Sequence, residues 1–321
     1  MKKIAIIGCG NIGSRHLQAI KKCRYDMTII ACENNLISRE ISNERFLEIE
    51  QNGYVHELNW IDDYRSMKGE VDVVIIATSS NVRYEIATWL LENLQIGMMI
   101  LEKVVFQKNE DFDNFAKIVS REKTDVYVNC PRRLFSFYSQ LKQDLRNSNM
   151  INMYVYGNNW GIACNSIHMI DLYEYISDNS IEKYDSNELK EVICKRKGFV
   201  EFTGDIRLVS SRGKLILSAY DMEPMNQYIT IVTEEKIINI DEMSNEAYII
   251  DNKTKSINRI DVDFKYQSDL TCDVIDDYFR EKKCGLTSYN DSANMHKMFI
   301  SGINRYLSDR DNMEVELCPI T

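Results

Sequence analysis

A short glycine-rich segment near the N-terminus has the spacing of a dinucleotide-binding turn. The segment GCGNIG follows the apolar, β-branched run KIAIIG and shares its last residue, Gly8. Gly8 permits a tight turn, Gly10 lets the backbone approach a pyrophosphate, and Gly13 lets the next helix pack closely on the strand. The first amide groups of that helix, from Asn11 and Ile12 onward, would face the phosphates. The alternative is a purely structural turn, since glycine is common in turns of every kind.

An acidic residue follows at the distance expected for the ribose of such a dinucleotide. Glu33 comes directly after a second apolar run, TIIAC, and 25 residues after Gly8. Its carboxylate would accept hydrogen bonds from the adenosine ribose hydroxyls and would repel a 2′-phosphate. The sequence therefore favours NAD over NADP, and Arg39 is the nearest following cation that weakens this preference. The alternative is that Glu33 is only a solvated residue at the end of a strand.

The elements that would position these residues alternate between strand and helix over the first 129 residues. Such alternation is typical of a doubly wound parallel sheet. The predicted strands are 3–8, 28–32, 71–77, 98–101 and 125–129, and the predicted helices are 12–23, 36–50, 84–93 and 111–121. Ala77, Thr78 and Ser79 end one strand. Glu102 and Lys103 follow the next, so both segments lie at the edge where open α/β sheets bind ligands.

The pattern changes after residue 130, which predicts a second domain. Strand runs then follow one another without helices between them, with Arg212 and Gly213 as a hairpin turn, and this suits a largely antiparallel sheet. The predicted strands are 199–202, 206–209, 214–219, 228–233, 236–240 and 247–250, and the predicted helices are 135–146, 167–177, 271–281 and 292–307. The last helix could pack back on the first domain.

Taken together, these segments resemble the Gfo/Idh/MocA family. The resemblance rests on GCGNIGSRH, on ATSS at a strand end, on the pair Glu102-Lys103, on RR after the last predicted strand of the first domain, and on His168 with Asp171. It implies a Rossmann domain in residues 1–129 and, in residues 130–321, an α/β domain with an open-faced sheet that binds substrate and forms the oligomer. It also implies an NAD(P)-dependent oxidoreductase acting on a carbon of a sugar or cyclitol.

The sequence departs from the family pattern at four positions. Ser79 and Val104 stand where the family has prolines, and Arg83 stands where a histidine is common. Cys164 stands where the family has its catalytic aspartate, and the adjacent Asn165 could take over the hydrogen bonding of that aspartate. The loops around the reacting atoms are therefore expected to differ from the usual family geometry.

Two residues are expected to carry the reaction. His168, with an unperturbed pKa of about 6.5, can take the proton of a hydroxyl group as a hydride leaves. Lys103 would hydrogen-bond the same oxygen and stabilise its developing charge, or relay the proton. Asp171 comes three residues after His168 and either orients the imidazole or has a structural role. The alternatives are that His168 is a core histidine and that Lys103 is a solvated lysine.

Further residues are expected to line the substrate pocket or to support the fold. Amphipathic rings and fixed donors suit sugar hydroxyls. The predicted substrate-binding residues are Arg132, Arg133, Tyr138, Trp160, Asn165 and Asp171. The substrate would be a small sugar-type molecule, and a nucleotide sugar would place its diphosphate near Arg132, Arg133 and Arg207. His16 and His296 are expected to be structural.

Charge and composition limit the partners. The chain has 39 Lys and Arg against 49 Asp and Glu, a net charge of −10, which repels nucleic acid and anionic membranes. No apolar run approaches the roughly 20 residues that span a bilayer, and the N-terminal run is too short for a signal peptide. We therefore expect a cytoplasmic protein. The nine cysteines form no CxxC pair and the four histidines are dispersed, so we expect no metal. The open sheet favours a homodimer or homotetramer.

Two other functions stay open. One is a non-enzymatic regulator that binds the dinucleotide and a sugar as signals. Cys164 favours it, whereas Lys103 and His168 disfavour it because a sensor has no physical need for a proton acceptor. The other is a lyase or hydrolase that oxidises and re-reduces its substrate with bound NAD, which would leave no net change in NADH.

Overall fold

The computed structural model describes residues 1–186, 189–194 and 196–321, which fall into two units. The first unit contains Met1–Pro131 and Lys265–Ala293, and the second contains Arg132–Phe264 and Asn294–Thr321. In the described part of the chain, no helix combines the length and the apolar character needed to span a membrane. All nine cysteines are free thiols.

The first unit is built on a parallel sheet. Its strands are β1 (Lys2–Ile7), β2 (Met27–Cys32), β3 (His56–Ile61), β4 (Glu70–Ile76), β5 (Gln95–Leu101), β6 (Asp125–Val128) and the short β16 (Thr287–Ser288), numbered along the whole chain. Its helices are α1 (Asn11–Ile20), α2 (Leu36–Leu47), α3 (Ser80–Asn93), α4 (Asn109–Val119) and α7 (Gln267–Glu281). The strand order is β16-β6-β5-β4-β1-β2-β3, and every pair is parallel except β16 with β6. The order reverses between β1 and β4, which is where doubly wound sheets bind ligands.

The strands of this sheet that the sequence predicts are the buried ones, because burial requires an apolar run. The central strands β1, β4 and β5 are apolar and bury both faces, as strands of a parallel sheet must. The edge strand β3, HELNWI, is partly exposed along its length and has no apolar run, so the sequence pattern missed it. Helix α7 packs on α1, which places residues 265–293 with the first unit, whereas the sequence pattern assigned all of 130–321 to the second domain.

The second unit is built on a sheet of mostly antiparallel strands. Its strands are β7 (Asn152–Asn158), β8 (Ile181–Asp185), β9 (Lys190–Val192), β10 (Glu201–Ser210), β11 (Gly213–Tyr220), β12 (Tyr228–Val232), β13 (Lys236–Asp241), β14 (Glu246–Asp251) and β15 (Ile257–Asp261). Its helices are α5 (Ser136–Leu145), α6 (Ile162–Ser177) and most of α8 (Tyr289–Asp311). The order is β15-β14-β13-β12-β7-β11-β10-β8, with β9 on β10, and β7 runs parallel to β11.

The predicted fold class, a parallel Rossmann sheet followed by a mostly antiparallel sheet, is confirmed. The predicted strands 199–202 and 206–209 are one strand, β10, because Gly204 continues the ladder opposite Ala219 with a φ of +112°. A side chain would resist that φ, whereas glycine adopts it freely. The sequence pattern missed β7, β8, β9 and β15, and it began α6 at residue 167 rather than at Ile162.

Arg212, in the turn between β10 and β11, joins the C-terminal ends of two helices. Its guanidinium donates to the carbonyl oxygens of Leu145 at 3.4 Å and Arg146 at 3.2 Å, just past α5, and also to those of Ser148 and Ser177. The last carbonyl groups of a helix have no partner within the helix and carry partial negative charge. One cation therefore satisfies several acceptors that would otherwise need water.

Arg212→Met should destabilise the second unit. The variant leaves these carbonyl groups without their charged donor, which costs roughly 2 kcal/mol. Thermal unfolding checks this, with Arg207→Met, an exposed position on β10, as the control that keeps the wild-type Tm. Equal Tm values for the two variants would contradict this role of Arg212.

Candidate active site

The loop between β1 and α1 forms a cradle of backbone atoms. Gly8 has a φ of +85°, and a Cβ atom there would lie 2.8 Å from Cγ2 of Thr78. A Cβ atom at Gly13 would lie 1.9 Å from the carbonyl oxygen of Gly8, so α1 can approach β1 this closely only at a glycine. A Cβ atom at Gly10 would meet no atom within 4 Å. Protein packing thus requires Gly8 and Gly13, whereas Gly10 borders open space in which a ligand fits.

The start of α1 offers backbone amides to an anion. Gly10 is the N-cap residue and has no side chain to cap the helix, and the first turn contains no acidic residue. Asn11 and Ile12, the first two residues of the helix, are exposed. The N-terminus of a helix carries partial positive charge, and its first amide groups point outward, so this end of α1 suits a phosphate group.

Glu33 lies beside the same loop. Its carboxylate accepts hydrogen bonds from the amide of Cys9 at 2.8 Å and from the amide of Asn35 at 2.9 Å. Burial, and then the charge of Glu33, raise the pKa of the Cys9 thiol, so this side chain stays neutral. Arg39 forms an ion pair with Asp62 at 3.2 Å. The carboxylate is therefore held at the end of β2, and the cation nearest in sequence is paired with another acidic residue.

Thr78 faces the glycine loop from the end of β4. Its Oγ1 atom is buried and has no hydrogen-bond partner within the described ranges of the chain. A buried hydroxyl group without a partner is costly, and a polar ligand atom would satisfy it. Nearby, the amide of Ala77 donates to the Ile7 carbonyl at 2.8 Å, and the Ser79 hydroxyl donates to Asn81 at 2.7 Å. The glycine cradle, the uncapped helix and this hydroxyl together fit a dinucleotide.

Glu102 connects the end of β5 to three other elements of the first unit. Its carboxylate binds Nε2 of His16 on α1 at 2.9 Å and accepts a hydrogen bond from Asn129 after β6. Nδ1 of His16 lies 2.8 Å from Oγ1 of Thr271 on α7. Burial opposes ionisation of Glu102, but the hydrogen bond and charge of His16, the Asn129 amide and the charge of Lys103 outweigh it, so the pKa of Glu102 lies below its usual range.

These contacts give Glu102 and His16 internal roles. The sequence pattern placed Glu102 in the cofactor site, which stays a prediction, and its carboxylate is bound by His16 and Asn129. The predicted structural role of His16 is confirmed by its two hydrogen bonds. His296 is completely buried on α8.

Lys103 is the partly exposed residue in a buried segment. Every other residue from 101 to 107 is buried, and the Lys103–Val104 peptide bond is cis. Arg83, at the start of α3, donates to the carbonyl oxygen of Val104 and, at 3.1 Å, to that of Val105. It also donates to the Thr78 carbonyl. The buried guanidinium of Arg83 therefore joins two loops. They are the loops in which Ser79 and Val104 replace prolines of the family.

In the second unit, His168 lies on α6, one turn after Cys164. His168 is half-buried. The helix begins after Gly161, which has a φ of +80°, and the carboxylate of Glu201 accepts hydrogen bonds from the Ala163 amide at 2.6 Å and the Cys164 amide at 3.4 Å. A carboxylate at this end complements the helix dipole and fixes the first turn.

The residues around the start of α6 are held by hydrogen bonds to the backbone. The Asn165 amide donates to the Trp160 carbonyl at 2.7 Å, and the Trp160 indole donates to the Ser218 carbonyl at 2.8 Å. The thiol of Cys164 points to the Gly161 carbonyl at 3.5 Å. Asn165 therefore uses a donor to brace Trp160 in this loop.

The two predicted substrate-binding arginines form ion pairs with carboxylates. Arg132 binds Glu242 through two nitrogen atoms, with a contact of 2.6 Å from Nη2, and the Tyr138 hydroxyl donates to Glu242 at 2.6 Å. Burial, and then the charge of Glu242, raise the pKa of Tyr138 well above its usual value. Arg133 binds both oxygens of Asp171 at 2.8 Å. The Arg133 pair favours the structural alternative for Asp171. Glu242 and Asp171 balance the charges of Arg132 and Arg133, respectively.

The sequence pattern did not find several of the residues that hold these side chains within each unit. Each of Glu201, Glu242, Asn129 and Arg83 has a partner between 21 and 110 residues away. No local spacing signals such contacts. Lys103 belongs to the first unit and His168 to the second. Among the described residues, no group of three or more His, Cys, Asp or Glu side chains is arranged to hold a metal ion.

Comparison with protein families agrees with the geometry of the first unit. Residues 2–130 match the model of the Gfo/Idh/MocA family, an oxidoreductase family with an NAD-binding Rossmann fold. The resemblance identified in the sequence is thereby confirmed over this range. A comparison with curated proteins finds no match.

Solved structures share the fold over nearly the whole chain. An oxidoreductase from Agrobacterium radiobacter, in complex with NAD+, L-tartaric acid and magnesium, is 14% identical, covers 98% of each chain and has a TM-score of 0.74. A super-repressor mutant of Gal80p from Saccharomyces cerevisiae is 13% identical, with 98% and 97% coverage and a TM-score of 0.71. UDP-N-acetylglucosamine 3-dehydrogenase GnnA from Acidithiobacillus ferrooxidans is 11% identical, with 98% coverage of each chain and a TM-score of 0.69. At this identity the likeness concerns the fold alone.

Two glycine substitutions should separate ligand binding from folding. Gly10→Ala adds a methyl group where the protein has open space, so Tm should hold while NADH binding weakens roughly tenfold or more, about 1.4 kcal/mol. Gly13→Ala forces a methyl group against the Gly8 carbonyl and should cost about 3 kcal/mol or more of folding stability. NADH fluorescence titration and thermal unfolding measure the two effects. Unchanged NADH affinity in Gly10→Ala would contradict the assignment of this cradle.

Proposed function

We propose that this chain, whose residues 2–130 match the model of the Gfo/Idh/MocA oxidoreductase family, transfers a hydride between NAD(H) and a carbinol or ketone carbon of a small sugar-type molecule. The observation that carries the proposal is the glycine cradle at the uncapped start of α1, with Glu33 and Thr78 beside it. The family match supports a dinucleotide-dependent redox reaction rather than another use of the same turn.

NAD is the proposed cofactor in preference to NADP. Residues Gly8, Gly10 and Gly13 with the first amides of α1 would hold the pyrophosphate, and Glu33 would bind the adenosine ribose. The carboxylate of Glu33 opposes a 2′-phosphate, and Arg39 is already paired with Asp62. When bound, the nicotinamide supplies a two-electron hydride acceptor or donor.

Lys103 and His168 are the proposed catalytic residues. The Lys103 ammonium would donate a hydrogen bond to the substrate oxygen and stabilise negative charge that develops there. The His168 imidazole would accept the hydroxyl proton during oxidation and return it during reduction. Lys103 belongs to the first unit and His168 to the second.

A neutral polyol or its ketone is the substrate class that the charges support. Arg132 and Arg133 each form an ion pair with a carboxylate, and Arg207 is exposed on β10. A diphosphate would have to compete with Glu242 and Asp171 for these guanidinium groups. Trp160 and Tyr138 add amphipathic ring surface of the kind that packs against sugars.

A non-enzymatic regulator is the second candidate function. Cys164 occupies the position of the family aspartate, and Nδ2 of the adjacent Asn165 donates to the Trp160 carbonyl. Such a regulator would bind NADH and a sugar without turnover. A lyase or hydrolase that uses NAD transiently would form product without net change in NADH.

Turnover should depend on Lys103. Purified protein with NAD or NADH is screened by nicotinamide absorbance against free sugars, cyclitols, uronic acids and nucleotide sugars. Lys103→Ala should lose about 100-fold or more of kcat because it removes the donor to the developing charge. Lys117→Ala, an exposed lysine on α4, is the matched control. Wild-type turnover in Lys103→Ala would contradict the proposed mechanism.

We also propose that a second copy of the chain covers the sheet of the second unit. Residues alternate between buried and half-buried along β7 and β12, so one face keeps Tyr154, Tyr156 and Tyr228 partly exposed. The rings of Tyr156 and Tyr228 lie 5.9 Å apart, and partly exposed ring surface of this kind is often covered by another subunit. Light scattering at micromolar concentration should give the mass of a dimer or tetramer, and Tyr156→Glu should lower it. A monomeric wild type would contradict this proposal.

A further inference from the structure

A single buried arginine joins two backbone segments at the candidate catalytic edge of the first unit. Arg83 is 1% exposed. Its Nη1 atom donates to the carbonyl oxygens of Val104 and Val105, and its Nη2 atom donates to the carbonyl oxygen of Thr78. Thr78 follows β4, and the two valines follow β5, the neighbouring strand in the sheet. The side chain therefore bridges the loops at the ends of adjacent strands.

The chemistry of this contact is specific to a guanidinium group. Removing a cation from water costs several kcal/mol unless it is paired or hydrogen-bonded. Val104 and Val105 are 0% exposed, and buried carbonyl groups need donors. The planar fork of an arginine can donate to two segments at once, whereas a lysine ammonium acts as a point donor on a flexible stem.

Lys103 lies between two restrained neighbours. On one side, Glu102 is held by His16 and Asn129. On the other side, the Val104 carbonyl is held by Arg83, and the following Phe106 ring packs in an aromatic cluster with Phe112, Phe115 and Tyr84. The Lys103 side chain is partly exposed while the backbone on both sides is buried and bonded.

We propose that Arg83 is a positioning residue for Lys103, an inference that rests on the proposed function. Arg83 fixes the backbone after Lys103 relative to the Thr78 loop, so that the ammonium group meets the substrate oxygen at a set distance. It acts through the carbonyl groups of Val104 and Val105. Displacing a catalytic group by about 1 Å can cost 100-fold in rate, so a small relaxation of this backbone has a large kinetic effect.

Kinetics of two variants test the proposal. Arg83→Lys keeps the charge and loses the fork, and kcat should fall about 100-fold while KM and NADH affinity change little. Arg83→Ala should lose as much, and added guanidinium ion at millimolar concentration should restore part of its kcat. The same ion should give no recovery in Lys103→Ala. An unchanged kcat in Arg83→Lys, or equal effects of guanidinium on both alanine variants, would overturn the positioning role.

Arg212→Lys is the matched control. Arg212 also binds several backbone carbonyl groups, but it lies in the second unit at the ends of α5 and α6. Its substitution should lower Tm and leave kcat unchanged. If Arg212→Lys loses as much kcat as Arg83→Lys, general destabilisation explains the loss in both variants. That result would overturn the inference.

Amide hydrogen exchange separates this inference from the proposed function. Exchange in the peptide covering residues 103–107 should rise in Arg83→Lys and remain at the wild-type level in Arg212→Lys. Exchange that stays at the wild-type level in Arg83→Lys overturns the inference even if the wild type is an active enzyme. If exchange at residues 103–107 rises in Arg83→Lys but the wild type turns over no substrate, the proposed function is contradicted. Arg83 then has only a structural role.

Discussion

The close approach of α1 to β1 is the constraint on which the first unit depends. It is possible only because Gly13 lies against the Gly8 carbonyl with no side chain between them. This approach brings the uncapped start of α1 to the carboxyl ends of β1 and β4, the two strands between which the strand order reverses. The same helix carries His16, which holds Glu102 at the end of β5. One helix thus presents the anion-binding amides and fixes the residue that precedes Lys103.

Buried charges complete this arrangement at the ends of β4 and β5. Glu102 and Arg83 are both nearly inaccessible, and each would cost several kcal/mol to bury without partners. Glu102 is bound by His16 and Asn129, and Arg83 is bound by backbone carbonyl groups of both loops. The buried charges of Glu102 and Arg83 therefore fix the backbone on both sides of Lys103. In the second unit, Glu242 and Asp171 likewise hold Arg132 and Arg133 and balance their charges.

The sequence predicted what depends on local pattern and missed what depends on distant contacts. Apolar runs identified β1, β4 and β5, and glycine spacing identified the cradle, because both signals lie within a few residues. The edge strand β3 was missed because it buries little, and β10 was divided because Gly204 resembles a turn residue. Glu33, which its spacing singled out as a ribose-binding residue, accepts a hydrogen bond from Cys9 in the glycine loop, and its contact with a ribose stays a prediction. The partners of Arg132, Arg133 and Arg83 follow from tertiary packing, which no local spacing encodes.

Isotope transfer tests the central claim of hydride chemistry most directly. The protein is incubated with NAD and a mixture of sugars and cyclitols deuterated at carbon, and the nicotinamide is analysed by mass spectrometry. If the chain is a hydride-transferring oxidoreductase, the reduced nicotinamide carries one deuterium that came from substrate carbon. If NADH binds in the glycine cradle and no deuterium reaches the nicotinamide from any of these compounds, the account of Lys103 and His168 is contradicted. A sensor of the dinucleotide, or an enzyme that recycles bound NAD, then becomes the better explanation.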